Sequence, residues 1–120
     1  MLKNLLLIAA GGALGSLGRY SLTLLAAQLS VAGEWATVAA NILGSFLIGL
    51  ALPGAASPDA LFYSVGLCGG FTTFSTFSLQ AVRLLRDGQY LPALLYMFGT
   101  LAVSLAMVAF GCWCRQKIWG

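Results

Sequence analysis

The chain has 120 residues, of which 60% are hydrophobic and only 8% are charged, with a formal net charge of +3. A soluble domain carries about 25% charged residues, so this composition excludes an ordinary soluble monomer, and the hydrophobicity also excludes a disordered tail. Histidine is absent and the cysteines number three, which excludes histidine-based catalysis, a CxxC…CxxC zinc site and a disulfide framework. The sequence predicts an all-α membrane protein with a single domain, residues 1–120.

The spacing of the charged residues predicts four membrane spans. A helix needs about 20 apolar residues to cross the hydrocarbon core, and each long uncharged stretch holds one such helix. Pro53, Gly54 and Pro58 mark the end of the second span. A cleaved signal peptide with Lys3 in its basic region is the alternative for the N-terminus, but the apolar stretch is longer than an ordinary signal-peptide core. The predicted spans are residues 5–29, 35–52, 60–83 and 91–113, with turns at 30–34, 53–59 and 86–89.

The first span carries a face of small residues and one charge. Gly11, Gly15 and Gly18 fall at i, i+4 and i+7, a spacing that allows another helix backbone to approach closely. Arg19 lies near the same side and is the one charge within an apolar segment, which makes it a functional candidate. An arginine that extends to the membrane interface is the alternative interpretation.

Two further spans carry polar stripes. Hydroxyl groups in membrane helices usually bond to the backbone or to another helix, so each stripe alone indicates packing as readily as a pathway. Two stripes together with Arg19, and without a buried carboxylate, favour an anion. The stripe on the second span comprises Asn41, Ser45 and Gly49, and that on the fourth comprises Tyr96, Thr100 and Ser104.

The third span is predicted to be a broken helix. Residues 66–78 combine three glycines with β-branched and hydroxyl residues, all of which lower helix propensity. Non-helical backbone at membrane depth needs partners for its carbonyls and amides, and broken helices often present carbonyls to a cation. Phe71, Phe74 and Phe77 recur at every third position. Their electropositive ring edges could line a path for a small, hard anion, and ordinary aromatic packing is the alternative.

Basic residues flank the spans on both sides in nearly equal number. Lys3, Arg115 and Lys117 would share one side of the membrane, and Arg83 and Arg86 the other. A fixed orientation normally comes from a clear excess of Lys and Arg in the cytoplasmic loops. The flanks therefore fit an antiparallel dimer of dual topology, or one orientation chosen by a single basic residue.

The block Gly69–Ser78, which reads GGFTTFSTFS, resembles the GG-[LF]-TTFSTFS signature of the Fluc/CrcB fluoride channels. The resemblance continues in residues 11–20 and 37–46 and covers nearly the whole chain. It implies an antiparallel, dual-topology homodimer in the bacterial inner membrane, surrounded by lipid. It also implies passive, fluoride-selective export, which lowers cytoplasmic fluoride and confers fluoride resistance.

The resemblance also implies roles for particular residues. Phe74 and Phe77 would line the fluoride path, with Asn41 as an amide donor beside it and Arg19 in the vestibule. Main-chain carbonyls of Gly69 and Thr72 from both subunits would hold a structural sodium ion. The predicted path comprises Arg19, Asn41, Thr73, Phe74, Ser75, Phe77, Tyr96, Thr100 and Ser104.

Two positions depart from the family pattern. The family often has Pro-x-Gly-Thr before the second helix, where this chain reads Glu34-Trp35-Ala36-Thr37, and a glutamate common after the signature is Gln80 here. Both positions are predicted to lie outside the pore and the sodium site. There they would affect the entry to the second helix and the charge of the vestibule.

The main alternative is a small four-helix multidrug transporter coupled to protons. That mechanism needs a carboxylate within the membrane, whereas Glu34, Asp59 and Asp87 all fall at predicted loops. A structural or assembly subunit would account for the glycine face but not for the unusual third span. An enzyme is disfavoured because the sequence has no nucleophile–base pair and no cluster of metal ligands, and nothing in it suggests a nucleic-acid partner.

Overall fold

The computed structural model describes residues 1–51 and 61–119, and every regular element in those ranges is helical. The predicted turn at 53–59 lies outside the described residues. The helix α3 is wound as a π-helix and continues into α4, which is a single turn. The elements in chain order are α1 (Leu2–Gln28), α2 (Gly33–Ala51), α3 (Leu61–Cys68), α4 (Gly69–Phe71), α5 (Ser75–Arg86) and α6 (Tyr90–Trp119).

Three of these helices, α1, α2 and α6, are long and apolar enough to cross a membrane by length and composition. The fold is therefore that of a multi-pass helical membrane protein. The region predicted as one span, residues 60–83, is divided among α3, α4 and α5. Between α4 and α5 the backbone is not helical, and Thr72 is extended with φ −81° and ψ 158°.

The helices pack in two main groups, α1 against α3 and α4, and α2 against α6. Glycine allows the backbones to touch in both groups. A Cβ atom on Gly15 would overlap the carbonyl oxygen of Leu67 and lie 2.7 Å from the amide nitrogen of Phe71. A Cβ atom on Gly49 would lie 3.0 Å from the Cα atom of Gly111. The small-residue face of the first span thus fixes α3 and α4 against α1.

The two described turns use the same hydrogen-bond pattern at the end of a helix. After α1, Ser30 adopts the left-handed conformation with φ 56°, and the amide of Val31 donates to the carbonyl of Ala26 at 2.8 Å. After α5, Gly88 adopts φ 74°, and the amide of Gln89 donates to the carbonyl of Leu84 at 2.9 Å. Both turns satisfy carbonyls that the helix end would leave unpaired.

Replacing Gly15 with alanine is expected to destabilise the protein. Alanine improves helix propensity by about 0.8–1 kcal/mol, but forcing a side chain into a filled space costs about 1–3 kcal/mol, and the obstruction here is backbone. Gly99→Ala is the matched control, because a Cβ atom there meets nothing within 4 Å. Thermal unfolding in detergent should show Gly15→Ala below the wild type and Gly99→Ala at or above it. Equal stability of the two variants would contradict the packing argument.

Candidate functional site

The interruption between α4 and α5 is held by the side chain of Asn41, which comes from the middle of α2. Its Nδ2 donates to the carbonyl oxygen of Thr73 at 3.2 Å, and the amide nitrogen of Thr73 donates to its Oδ1 at 2.9 Å. One side-chain amide therefore replaces both backbone partners that Thr73 would have in a continuous helix. Such pairing meets the requirement that buried backbone groups be hydrogen-bonded.

This pairing leaves two other carbonyls without their helical donors. In a continuous helix the carbonyl of Gly69 would accept from the amide of Thr73, and that of Thr72 from the amide of Thr76. Thr73 instead donates to Asn41, and the amide of Thr76 donates to Thr73 Oγ1 at 3.2 Å. The residues concerned, Gly69 and Thr72, are the two predicted to supply main-chain carbonyls to a cation.

Arg19 contacts the same interruption from α1. Its Nε donates to the carbonyl oxygen of Gly70 at 3.3 Å, and the side chain is half-buried. The guanidinium therefore makes a specific contact with the backbone at the end of α4. An arginine that merely extends to the membrane surface would not need that contact.

A cavity of about 320 Å³ lies beside the interruption, between α2 and α6. Six residues of the predicted path line it, together with both residues of the predicted sodium site. Arg19, Ser75 and Tyr96 do not line it. The lining residues that belong to the two predictions are Asn41, Thr73, Phe74, Phe77, Thr100, Ser104, Gly69 and Thr72. The lining residues outside those two predictions are Gly44, Ser45, Ile48, Cys68 and Leu101.

Two hydroxyl groups in this cavity are buried without a hydrogen-bond partner in the described part of the chain. They are Thr100 Oγ1 and Ser104 Oγ, one turn apart on α6. A buried donor without a partner costs about 1–3 kcal/mol. These hydroxyls are therefore free to donate to a species in the cavity. Ser45, which the sequence analysis placed on the polar stripe of the second span but not in the path, also lines the cavity, one turn after Asn41.

Three aromatic rings form a continuous series at the cavity wall. The ring centroids of Phe74 and Phe77 are 5.8 Å apart, and those of Phe77 and Tyr96 are 5.0 Å apart. The hydroxyl of Tyr96 donates to Gln80 Oε1 at 2.6 Å. Tyr96 thus packs against the ring of Phe77 without lining the cavity, and its hydroxyl is held by Gln80.

Gln80, one of the two departures from the family pattern, does not line the cavity, and this contact links it to Tyr96 of the predicted path. Gln80 follows Phe77 by three positions on α5, so the two side chains share one face of the helix. That face packs against α6, which carries Tyr96. Sequence spacing could have shown the shared face, but not which residue of α6 meets it.

The fold and the cavity together define a helical multi-pass membrane protein with a largely apolar cavity, which contains a few polar groups, beside the non-helical segment between α4 and α5. Residues 6–112 match the family model described as "CrcB-like protein, Camphor Resistance (CrcB)".

The chain belongs to the CrcB family, as its signature block predicted. It is 47% identical over 116 positions to a protein of Thermus thermophilus named "Fluoride-specific ion channel FluC", covering 92% of this chain and 93% of the relative. A protein of Chlorobaculum tepidum with the same name is 48% identical over 126 positions, covering 99% of this chain and 98% of the relative.

Asn41→Asp is expected to destabilise the interruption. The carboxylate would place an acceptor where Nδ2 now donates to the Thr73 carbonyl, at a cost of about 1–3 kcal/mol. Thermal unfolding measures the loss, and hydrogen exchange across residues 72–76 shows whether the segment opens, since the Thr73 amide itself still has a carboxylate oxygen as acceptor. The matched control is Asn4→Asp, because Asn4 is the other asparagine of the chain and is exposed. This control should change neither the thermal unfolding nor the hydrogen exchange. Unchanged thermal stability together with unchanged exchange across residues 72–76 in Asn41→Asp would contradict the proposed role of the side chain.

Proposed function

We propose that this chain is a fluoride-selective channel, not an enzyme, that lets fluoride leave the cytoplasm passively across the bacterial inner membrane. Membership of the CrcB family and the names of its relatives support this function. The observation that carries it is a single cavity lined by the rings of Phe74 and Phe77 and by the hydroxyls of Thr100 and Ser104. Those hydroxyls have no hydrogen-bond partner among the described residues. Fluoride enters cells as neutral hydrogen fluoride and is trapped as the ion, so a selective leak lowers its cytoplasmic concentration.

The donor groups in the cavity suit a small anion that holds water tightly. A pore must replace that water with donors and still release the ion. Thr100 and Ser104 offer hydroxyl protons, and the edges of Phe74 and Phe77 carry positive potential. Asn41 uses one N–H on the Thr73 carbonyl and, since a side-chain amide has two, keeps the other for the anion.

Within the described residues, the charges around this cavity also favour an anion over a cationic drug as its occupant. No carboxylate lines this cavity, and Arg19 brings a positive charge to the carbonyl of Gly70 next to it. Glu34 lies in the first turn of α2 and Asp87 in the turn after α5, while Asp59 lies outside the described residues. A proton-coupled drug transporter would need a carboxylate inside the cavity.

We further propose that two copies of the chain form an antiparallel dimer, with the interruption of each third span at membrane depth. Non-helical backbone in hydrocarbon must be covered by protein or water. In the single chain, however, Gly69 is exposed and Phe74 is 78% exposed. A second copy would cover this surface, and the balanced basic flanks fit insertion in both orientations.

A structural sodium ion at the centre of that dimer is the third part of the proposal. The residues fit such an ion, because the Gly69 and Thr72 carbonyls have lost their helical donors and carbonyl oxygen is a favourable ligand for a hard cation. When bound, the ion would neutralise the partial charges of carbonyls from both chains and so stabilise the dimer. A Cβ atom on Gly69 has room within the chain, its nearest neighbour being the Ser64 carbonyl oxygen at 3.9 Å.

Replacing either phenylalanine of the cavity with isoleucine is expected to reduce fluoride efflux from liposomes at least about tenfold, which corresponds to ~1.4 kcal/mol in the barrier. Isoleucine retains the apolar volume but has no electropositive ring edge. Phe98→Ile is the matched control, since Phe98 is exposed on α6 and does not line the cavity. Wild-type efflux in both Phe74→Ile and Phe77→Ile, with the dimer intact, would place the path elsewhere.

Sodium is expected to be needed for both efflux and dimer stability. Protein purified and assayed in N-methylglucamine, lithium or potassium should lose efflux and dissociate more readily than protein in sodium. Gly69→Ala, which is sterically free within one chain, should weaken the dimer if carbonyls of two chains converge at this residue. Identical efflux and dimer stability with and without sodium would exclude a sodium site.

A further inference from the structure

A second cavity, of about 450 Å³, lies between the first turn of α2 and the N-terminal half of α6. Its walls are largely apolar and include Val38, Leu95 and Val103. Sites for small organic molecules typically have volumes of about 300–1,000 Å³, with mostly apolar walls and a few polar groups. This cavity fits that description. It shares Thr100 with the cavity assigned to fluoride, and its other lining residues are different.

The one carboxylate that lines the second cavity lies at one end, whereas the hydroxyl residues Tyr96 and Thr100 lie along α6. Glu34 contributes a half-buried carboxylate that makes no ion pair within the described part of the chain. Trp35, the next residue, also lines the cavity and is 66% exposed. A carboxylate beside an indole ring is a favourable environment for an ammonium group, because the ring face attracts cations as well. The opposite end, towards Val103, is hydrocarbon.

We propose that this cavity binds a lipophilic ammonium ion, with its nitrogen at Glu34 and Trp35 and its hydrocarbon part along α6. Charge complementarity selects the cation, and the apolar walls select the attached chain. The cavity wall from Pro92 to Val103 extends about 16 Å at the rise of an α-helix. That length accommodates a single alkyl chain of medium length.

Occupation of the cavity would affect the fluoride path through two residues of α6. Thr100 lines both cavities, is only 7% exposed, and has a hydroxyl without a partner in the described residues. Tyr96 lines the second cavity, and its ring centroid is 5.0 Å from that of Phe77. A bound alkyl chain would therefore press on the residues that position Phe77 and reduce efflux. This effect on efflux rests on the proposed function, whereas the binding of the ammonium ion is independent of it.

Binding of radiolabelled decyltrimethylammonium to the protein in nanodiscs of zwitterionic lipid tests the site, with empty nanodiscs giving the background. The wild type should bind saturably, and Glu34→Gln should weaken binding about tenfold, because it removes the charge that attracts the quaternary ammonium group. Gly99→Leu should abolish it, because Gly99 lines the cavity and has open space around it. Asp87→Asn, at an exposed carboxylate outside the cavity, is the matched control and should bind as the wild type does.

The results distinguish this site from the proposed channel. The proposal would be overturned if no saturable binding were found above the background. A cavity filled by a partner chain or by lipid would give that result. The proposal would also be overturned if Glu34→Gln and Gly99→Leu both bound the ammonium ion with the affinity of the wild type. Efflux measured in parallel should fall on addition of the ammonium ion in the wild type and in Asp87→Asn, but not in Gly99→Leu. Binding of the ammonium ion without a fall in efflux would overturn the coupling between the second cavity and the fluoride path. If the protein showed the predicted binding but no fluoride efflux at all, only the proposed channel function would be contradicted.

Discussion

The structure depends on one constraint, that backbone amides and carbonyls away from water must be hydrogen-bonded. A helix meets this requirement by itself, and an interrupted helix does not. The exchange of two hydrogen bonds between Asn41 and the backbone of Thr73 provides the missing partners from a neighbouring helix. Because those bonds come from α2, the interruption and the cavity beside it are fixed relative to each other.

The close packing of α1 has a matching role on the other side of the interruption. Gly15 brings the backbone of α1 against Leu67 and Phe71, and Arg19, one turn later, reaches the carbonyl of Gly70. The backbone on either side of Thr72 is therefore held by two helices, through the amide of Asn41 on α2 and the guanidinium of Arg19 on α1. The carbonyls that remain without helical donors belong to Gly69 and Thr72, the residues that directly precede the two attachments at Gly70 and Thr73.

Much of this arrangement could be predicted from the sequence where the determinants are local. The apolar stretches indicated the long helices, the spacing of Gly11, Gly15 and Gly18 indicated the packing face, and the GGFTTFSTFS block indicated the family. Other features depend on contacts between distant residues and could not be predicted. Asn41 lies 32 residues before Thr73, and the hydrogen bonds between them form only because α2 packs beside the interruption. The hydrogen bond between Gln80 and Tyr96 likewise required knowledge of how α5 meets α6. The left-handed Ser30 gave no signal, because glycine usually occupies that position.

The most direct test of the account is the efflux of fluoride from liposomes that contain the purified protein, with chloride efflux measured under the same conditions. The cavity offers hydroxyl donors and ring edges rather than a wide aqueous pore, so fluoride should leave rapidly and chloride should remain near the rate of protein-free liposomes. Fluoride efflux no faster than that of protein-free liposomes, or equal release of both anions, would contradict the account.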